Sequence, residues 1–97
     1  MIHISEAAIN ALKEKYYFNE KETNVRIFIK GIGWGGPKFG ITLDSVKEND
    51  TIKKLEGIKI IVENDLLELY GGFDIDFLDS WIGKDFIVAP VMGSSTC

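Results

Sequence analysis

The sequence predicts an α+β domain with about six or seven short, mostly antiparallel strands and two helices. Several stretches alternate apolar and polar residues with the period of two that is typical of a half-buried strand. Two other stretches place apolar residues three and four positions apart, as one face of a helix requires. A chain of 97 residues suits one core, so we treat residues 1–97 as a single domain.

The N-terminal third predicts a short strand, a helix and a longer strand. Ile2-His3-Ile4 is extended, and the hydroxyl of Ser5 can accept hydrogen bonds from the free amides of a helix running from about Glu6 to Tyr17. The apolar stripe of this helix comprises Ala8, Ile9, Leu12 and Tyr16. A polar loop at residues 19–24 then leads into an alternating strand at 25–30.

The rest of the chain predicts five more strands and a second helix. The strands span residues 38–44, 52–55, 58–62, 73–78 and 86–88. Asn64 is the predicted N-cap of a short helix through Tyr70, and Gly71-Gly72 is its left-handed stop. Residues 81–84 form the turn between the last two strands, and Pro90 ends the last one.

Composition excludes several classes of protein. The formal charge is −4 and Arg26 is the only arginine, so the clustered cations needed to bind nucleic acid are absent. No stretch approaches the roughly 18 apolar residues of a membrane span, and the N-terminus lacks the pattern of a secretory signal. We therefore expect a cytoplasmic protein. One cysteine and one histidine exclude an intrachain disulfide and a closed zinc site.

The acidic residues near the C-terminus do not form a calcium loop. Asp74, Asp76 and Asp79 lack the glycine and the distal glutamate at the required offsets. Alternation places Asp74 and Asp76 on a solvated strand face, while Asp79 faces the other way and is predicted to cap the turn at Trp81. His3 is expected to be a structural or exposed imidazole.

The segment Gly31–Gly40 is the strongest candidate site, because five of the ten glycines lie in it. Its spacing matches neither the P-loop nor the dinucleotide-binding fingerprint, and Pro37 and a strand follow it where a helix would be needed. Two interpretations remain, a plain tight hairpin loop and a binding loop that exposes Trp34. Cys97, the only soft metal ligand, lies on a small-residue tail.

The chain resembles the A-type iron-sulfur carriers, the HesB-like and IscA-like family, in order along almost its whole length. The resemblance rests on Ile4-Ser5-Glu6-Ala7-Ala8, the segment Val25 to Gly40, Gly57-Ile58-Lys59-Ile60-Ile61-Val62 and Ser94-Ser95-Thr96-Cys97. It implies a small α+β domain that forms homo-oligomers and takes up iron or an iron-sulfur cluster through cysteines. It also implies that the protein receives its iron or cluster from donor proteins and delivers it to recipient proteins. In this role it is a carrier and not an enzyme.

The resemblance also assigns the site residues. The family has one cysteine in the glycine loop and a Cys-Gly-Cys pair at the C-terminus. Here the loop is Gly33, Trp34, Gly35 and Gly36, with Trp34 at the ligand position, and Cys97 is the metal ligand of the tail. The loop is most similar to a subgroup with cysteine or selenocysteine there. The tryptophan codon differs by one base from the stop codon that is used for selenocysteine. We therefore hypothesise that Trp34 stands in place of selenocysteine. The alternatives are a non-metal interaction module that uses the Trp34 loop, and a thiol or selenol redox protein.

Overall fold

The computed structural model describes residues 2–16 and 23–92, which form seven strands and two helices. In chain order the elements are β1 (Ile2–Ile4), α1 (Glu6–Tyr16), β2 (Thr23–Gly33), β3 (Gly36–Leu43), β4 (Asp50–Leu55), β5 (Ile58–Glu63), α2 (Asn64–Tyr70), β6 (Phe73–Ser80) and β7 (Gly83–Pro90). This confirms the predicted α+β class. The predicted helix end at Tyr17 and most of the loop at 19–24 lie outside the described residues, and Asn24 already belongs to β2.

The strands form two sheets. The larger has the order β3-β2-β5-β4, with β2 and β5 parallel and its other neighbours antiparallel. The smaller has the order β1-β6-β7, with β1 and β6 parallel and β6 and β7 antiparallel. Most of these described ladders are antiparallel, as the alternation and the short connections predicted.

The two sheets and α1 enclose one core. Helix α1 begins at its predicted cap, because Ser5 Oγ accepts a hydrogen bond from the amide of Ala8 at 3.1 Å. The core includes Ala8, Leu12, Val25, Ile27, Ile60, Val62, Phe73 and Ile75. The ring of Phe39 on β3 lies 4.9 Å from that of Phe73 on β6 and 5.1 Å from that of Tyr70 on α2. These aromatic contacts join the two sheets.

Helix α2 differs from the prediction at its start and agrees with it at its end. The N-cap position is Glu63, which makes no side-chain cap hydrogen bond, so the prediction that Asn64 is the cap was wrong. Asn64 Oδ1 instead accepts a hydrogen bond from the hydroxyl of Thr51 on the neighbouring strand β4. Gly71 ends the helix with φ of 73°, which confirms the predicted left-handed stop.

Candidate functional site

The glycine-rich segment is a β-hairpin with a very short turn. Strands β2 and β3 stay paired up to Gly33 and Gly36, so only Trp34 and Gly35 form the turn. The predicted hairpin is confirmed, but most of the segment taken as a loop is strand. The pairing shifts register between Ile29 and Gly31, as at a β-bulge.

Glycine is required by the backbone at one of the four loop positions. Gly36 has φ of 105°, a conformation that side chains rarely adopt. A Cβ at Gly35 would meet no atom within 4 Å, whereas one at Gly33 would lie 3.2 Å from Lys38 Cε. The backbone around the turn is therefore open, and an incoming group could approach it closely.

Trp34 is fully exposed at the end of this hairpin, and Ile32 is 83 % exposed beside it. Within the described protomer the indole is not covered by other side chains. The two-residue turn therefore presents an apolar surface, made by Trp34 and Ile32, at the end of the hairpin. The structure therefore agrees with the exposed position predicted for Trp34, and leaves open which molecule it meets.

The described end of the chain lies beside the end of α2, which in turn contacts the middle of β3. The amide of Val91 donates to the carbonyl of Gly72 at 2.9 Å, and that of Met92 donates to the carbonyl of Tyr70 at 2.9 Å. The Tyr70 ring in turn contacts Phe39, five residues along β3 from Trp34. Cys97, the predicted metal ligand, lies outside the described residues, five positions after Met92.

The sequence did not predict a half-buried ion pair on the outer side of the larger sheet. Arg26 donates to both carboxylate oxygens of Asp50, at 2.8 and 2.6 Å, and to Asp44 at 2.6 Å. The side chains of Arg26 and Asp50 are only 11 % and 1 % exposed. The only signal in the sequence was a single arginine within an apolar strand, and its partners lie 18 and 24 positions away.

These contacts shift the pKa of each partner. The guanidinium hydrogen bonds hold the pKa of Asp50 below its usual value, and the same contact raises the pKa of Arg26 above its ordinary range. The backbone amide of Ser45, followed by Arg26 and Lys47, lowers the pKa of Asp44 to about 2. All three groups are therefore charged at neutral pH, and they fasten β2 to the β3–β4 connection and to β4.

The acidic residues of β6 and the lone histidine lie on the surface. Asp74, Asp76 and His3 are exposed, as predicted. Ser80, and not the predicted Asp79, holds the following turn, since its hydroxyl accepts from the amide of Ile82 and donates to the carbonyl of Gly83. Within residues 2–16 and 23–92 no three His, Cys, Asp or Glu side chains are grouped so that they could hold a metal ion.

Neither described helix is long and apolar enough to cross a membrane.

Comparison with known proteins identifies clear relatives. No family model matches the sequence. The iron-sulfur cluster insertion protein ErpA of Marinobacter nauticus is 31% identical over 93 residues, which are 91% of this chain and 84% of that protein. ErpA of Pseudomonas putida is 30% identical over 91 residues, covering 90% of this chain and 78% of the relative.

Solved structures resemble the whole fold. A crystal structure of IscA with a 2Fe-2S cluster matches with a TM-score of 0.76 and 22% identity, over 100% of this chain and 91% of that one. Escherichia coli SufA matches with a TM-score of 0.71 and 23% identity, over 99% and 85% of the two chains. At these identities the matches establish the fold alone.

Proposed function

The chain belongs to the A-type, HesB-like family of iron-sulfur cluster insertion proteins, and from this premise we propose that it carries iron or an iron-sulfur cluster between donor and recipient proteins. The cluster is its cargo, and the protein acts as a carrier and not as an enzyme. The observation that supports this most strongly is the position of Met92, the last described residue, which bonds Tyr70 at the end of α2, while the Tyr70 ring contacts Phe39 on the Trp34 hairpin.

The proposal places Cys97 near the hairpin turn. The five residues after Met92 can extend about 17 Å at most. The five-residue step along β3 from Phe39 to Trp34 also spans about 17 Å. The tail follows Met92, which bonds Tyr70, and Tyr70 contacts Phe39, so we propose that the thiol of Cys97 and the side chain at position 34 share one space, within a protomer or between two copies.

The proposed ligand set is incomplete. Cys97 supplies a thiolate once iron displaces its proton, whereas the indole of Trp34 has no lone pair that could bind iron. Protein-bound clusters usually have four thiolate ligands, and two chains would offer only two copies of Cys97. We therefore propose that a homo-oligomer binds the cargo weakly and completes its coordination with thiols from a donor, a recipient or a small molecule.

Position 34 is the proposed site of the lost ligand. The backbone beside it is open at Gly35 and Gly36, where a Cβ would meet no atom within 4 Å, although the side chain of Trp34 cannot bind iron. Replacement of an ancestral cysteine or selenocysteine by tryptophan would explain this combination. The coding DNA tests the selenocysteine version directly, since a TGA codon at position 34 supports it and a TGG codon contradicts it.

Anaerobic reconstitution with iron and sulfide tests the carrier function. We expect Trp34→Cys to bind several-fold more iron per chain than the parent, with visible sulfur-to-iron charge-transfer absorption, and the double variant Trp34→Cys/Cys97→Ser to lose the gain. Trp34→Ser is the matched control, because it removes the indole without adding a thiol. Iron uptake that is absent in every variant, or unchanged by Cys97→Ser, would contradict the proposal.

Full exposure of Trp34 and Ile32 favours a second candidate, an apolar interaction module that binds no metal. In that case Trp34→Ser would abolish partner binding and no variant would take up iron. The redox alternative predicts a third pattern, in which Trp34→Cys alone acquires peroxide-dependent thiol turnover.

A further inference from the structure

The hairpin formed by β6 and β7 carries a second exposed apolar surface. Its turn presents Trp81, which is 94 % exposed, and Ile82, which is 78 % exposed. Leu78 and Ile87 follow on the outer face of the smaller sheet, as diagonal neighbours that are 54 % and 46 % exposed. We call these four residues the β6–β7 patch.

The patch is held in a fixed shape. The Ser80 hydroxyl accepts a hydrogen bond from the amide of Ile82 at 3.3 Å and donates one to the carbonyl of Gly83 at 3.2 Å. Beneath the turn, on the inner face, the rings of Phe77 and Phe86 pack 4.8 Å apart. A large apolar surface presented on a rigid turn loses little conformational entropy on binding, which favours a docking role.

The charges around the patch indicate the charge that a partner surface should carry. Asp76 and Asp85 lie directly opposite Ile87 and Leu78 in the ladder, and Asp74 follows on the same face. Among the described residues, the nearby cations are Lys84 and Lys15 on the opposite face, where the Lys15 ammonium lies 5.8 Å from the Phe86 ring, and Lys53, which lines one groove with Asp74 and Asp76. The outer face of this hairpin is therefore apolar and acidic.

We propose that the β6–β7 patch docks a partner protein whose contact surface combines apolar side chains with a rim of lysine or arginine. Opposite charge favours such a surface and speeds its association. A second copy of this chain would bring Asp76 and Asp85 against their own copies, and an anionic membrane would be repelled in the same way. This docking surface is formed by a different hairpin, in a different sheet, from the Trp34 turn.

The two tryptophans of the chain provide the test. Trp34→Phe leaves Trp81 as the only indole, and Trp81→Phe leaves Trp34. Each variant is titrated with an amphipathic peptide of lysine and leucine, and we expect a blue shift of emission only from Trp81. Replacing Asp74 and Asp85 by Asn should weaken this binding about tenfold, as should raising NaCl from about 50 to about 500 mM. The matched control, Glu48→Gln/Asp65→Asn, removes the same charge elsewhere and should change little.

Several results would overturn the proposal. They are the absence of any response at Trp81, an equal response at Trp34, or binding of a glutamate–leucine peptide of the same length. A Trp81 shift caused by vesicles of anionic lipid would indicate a membrane surface, and a shift that depends only on protein concentration would indicate a second copy. None of these measurements requires iron, so failure here leaves the carrier function untouched, and failed reconstitution leaves this surface untouched.

Discussion

At the scale of single residues, Arg26 and Asp50 are charged side chains from which solvent is largely excluded. Asp50 is nearly inaccessible to solvent and its carboxylate accepts two hydrogen bonds from one guanidinium. Its other contact is the amide of Lys47 at 2.6 Å. Removing the carboxylate charge would leave Arg26 mostly buried with Asp44 as its remaining ionic partner, a loss that is costly because a buried charge needs compensation.

We expect Asp50→Asn to lower the free energy of unfolding by about 2 kcal/mol at pH 7. Since the folded-state pKa of Asp50 is depressed, its contribution is complete above the unfolded pKa of about 4 and is lost as pH falls through the folded value. The difference between parent and variant should therefore shrink as pH falls from about 4 toward 2. Urea unfolding at several pH values measures this. The exposed control Asp65→Asn should stay within about 0.5 kcal/mol of the parent at pH 7, and a similar loss there would contradict the assignment.

At the scale of elements, the local sequence pattern predicted the features that depend on residues close together in the chain, namely the helices, the strands and two of the helix caps. Alternation and helical spacing located both helices and every strand, and Ser5 and Gly71 fulfil their predicted roles as caps. A long-range contact explains why the predicted cap of α2 was wrong. Asn64 has a good capping side chain, but it bonds Thr51 on a neighbouring strand instead.

The same limit applies to the candidate site. The exposed hairpin turn could be predicted from the local sequence, because Gly36 and the glycines near it are typical of a tight turn. The docking of Met92 on Tyr70, by contrast, uses backbone hydrogen bonds that carry no side-chain signal. The parallel pairing of β2 with β5 likewise joins segments separated by two other strands, so no local pattern could reveal it.

The end of α2 allows a test of how the tail is anchored. A Cβ at Gly71 would lie 2.9 Å from two Met92 side-chain atoms, in addition to the strain of its positive φ. Gly57 has a similar φ of 86° but open space around it. We expect Gly57→Ala to cost about 1 kcal/mol from strain alone, and Gly71→Ala to cost about 1 kcal/mol more. Urea unfolding of both variants measures the difference. Met92→Ala in the Gly71→Ala background should recover part of it, and equal losses at the two glycines would show that Met92 does not clash.

At the scale of the whole molecule, one core connects the two hairpins to which we assign functions. Phe39, on the Trp34 hairpin, contacts Phe73, the first residue of β6, and β6 runs on to the β6–β7 patch. Neither sheet has a core of its own, because residues of both form one buried cluster. Cargo binding at one hairpin and partner docking at the other would thus rest on one rigid scaffold.

A shared core predicts that residues 1–97 unfold in one cooperative step. In differential scanning calorimetry we expect a single transition whose calorimetric and van't Hoff enthalpies agree, at about 70 kcal/mol for a chain of this length. Phe73→Ala, which removes the ring that joins the sheets, should lower the stability of the whole molecule by about 3 kcal/mol. Hydrogen exchange should show the most protected amides of β2, β5 and β6 losing protection together in that variant. Two separate transitions, or loss of protection in β6 alone, would mean that the sheets are independent units and that the two hairpins are not mechanically connected.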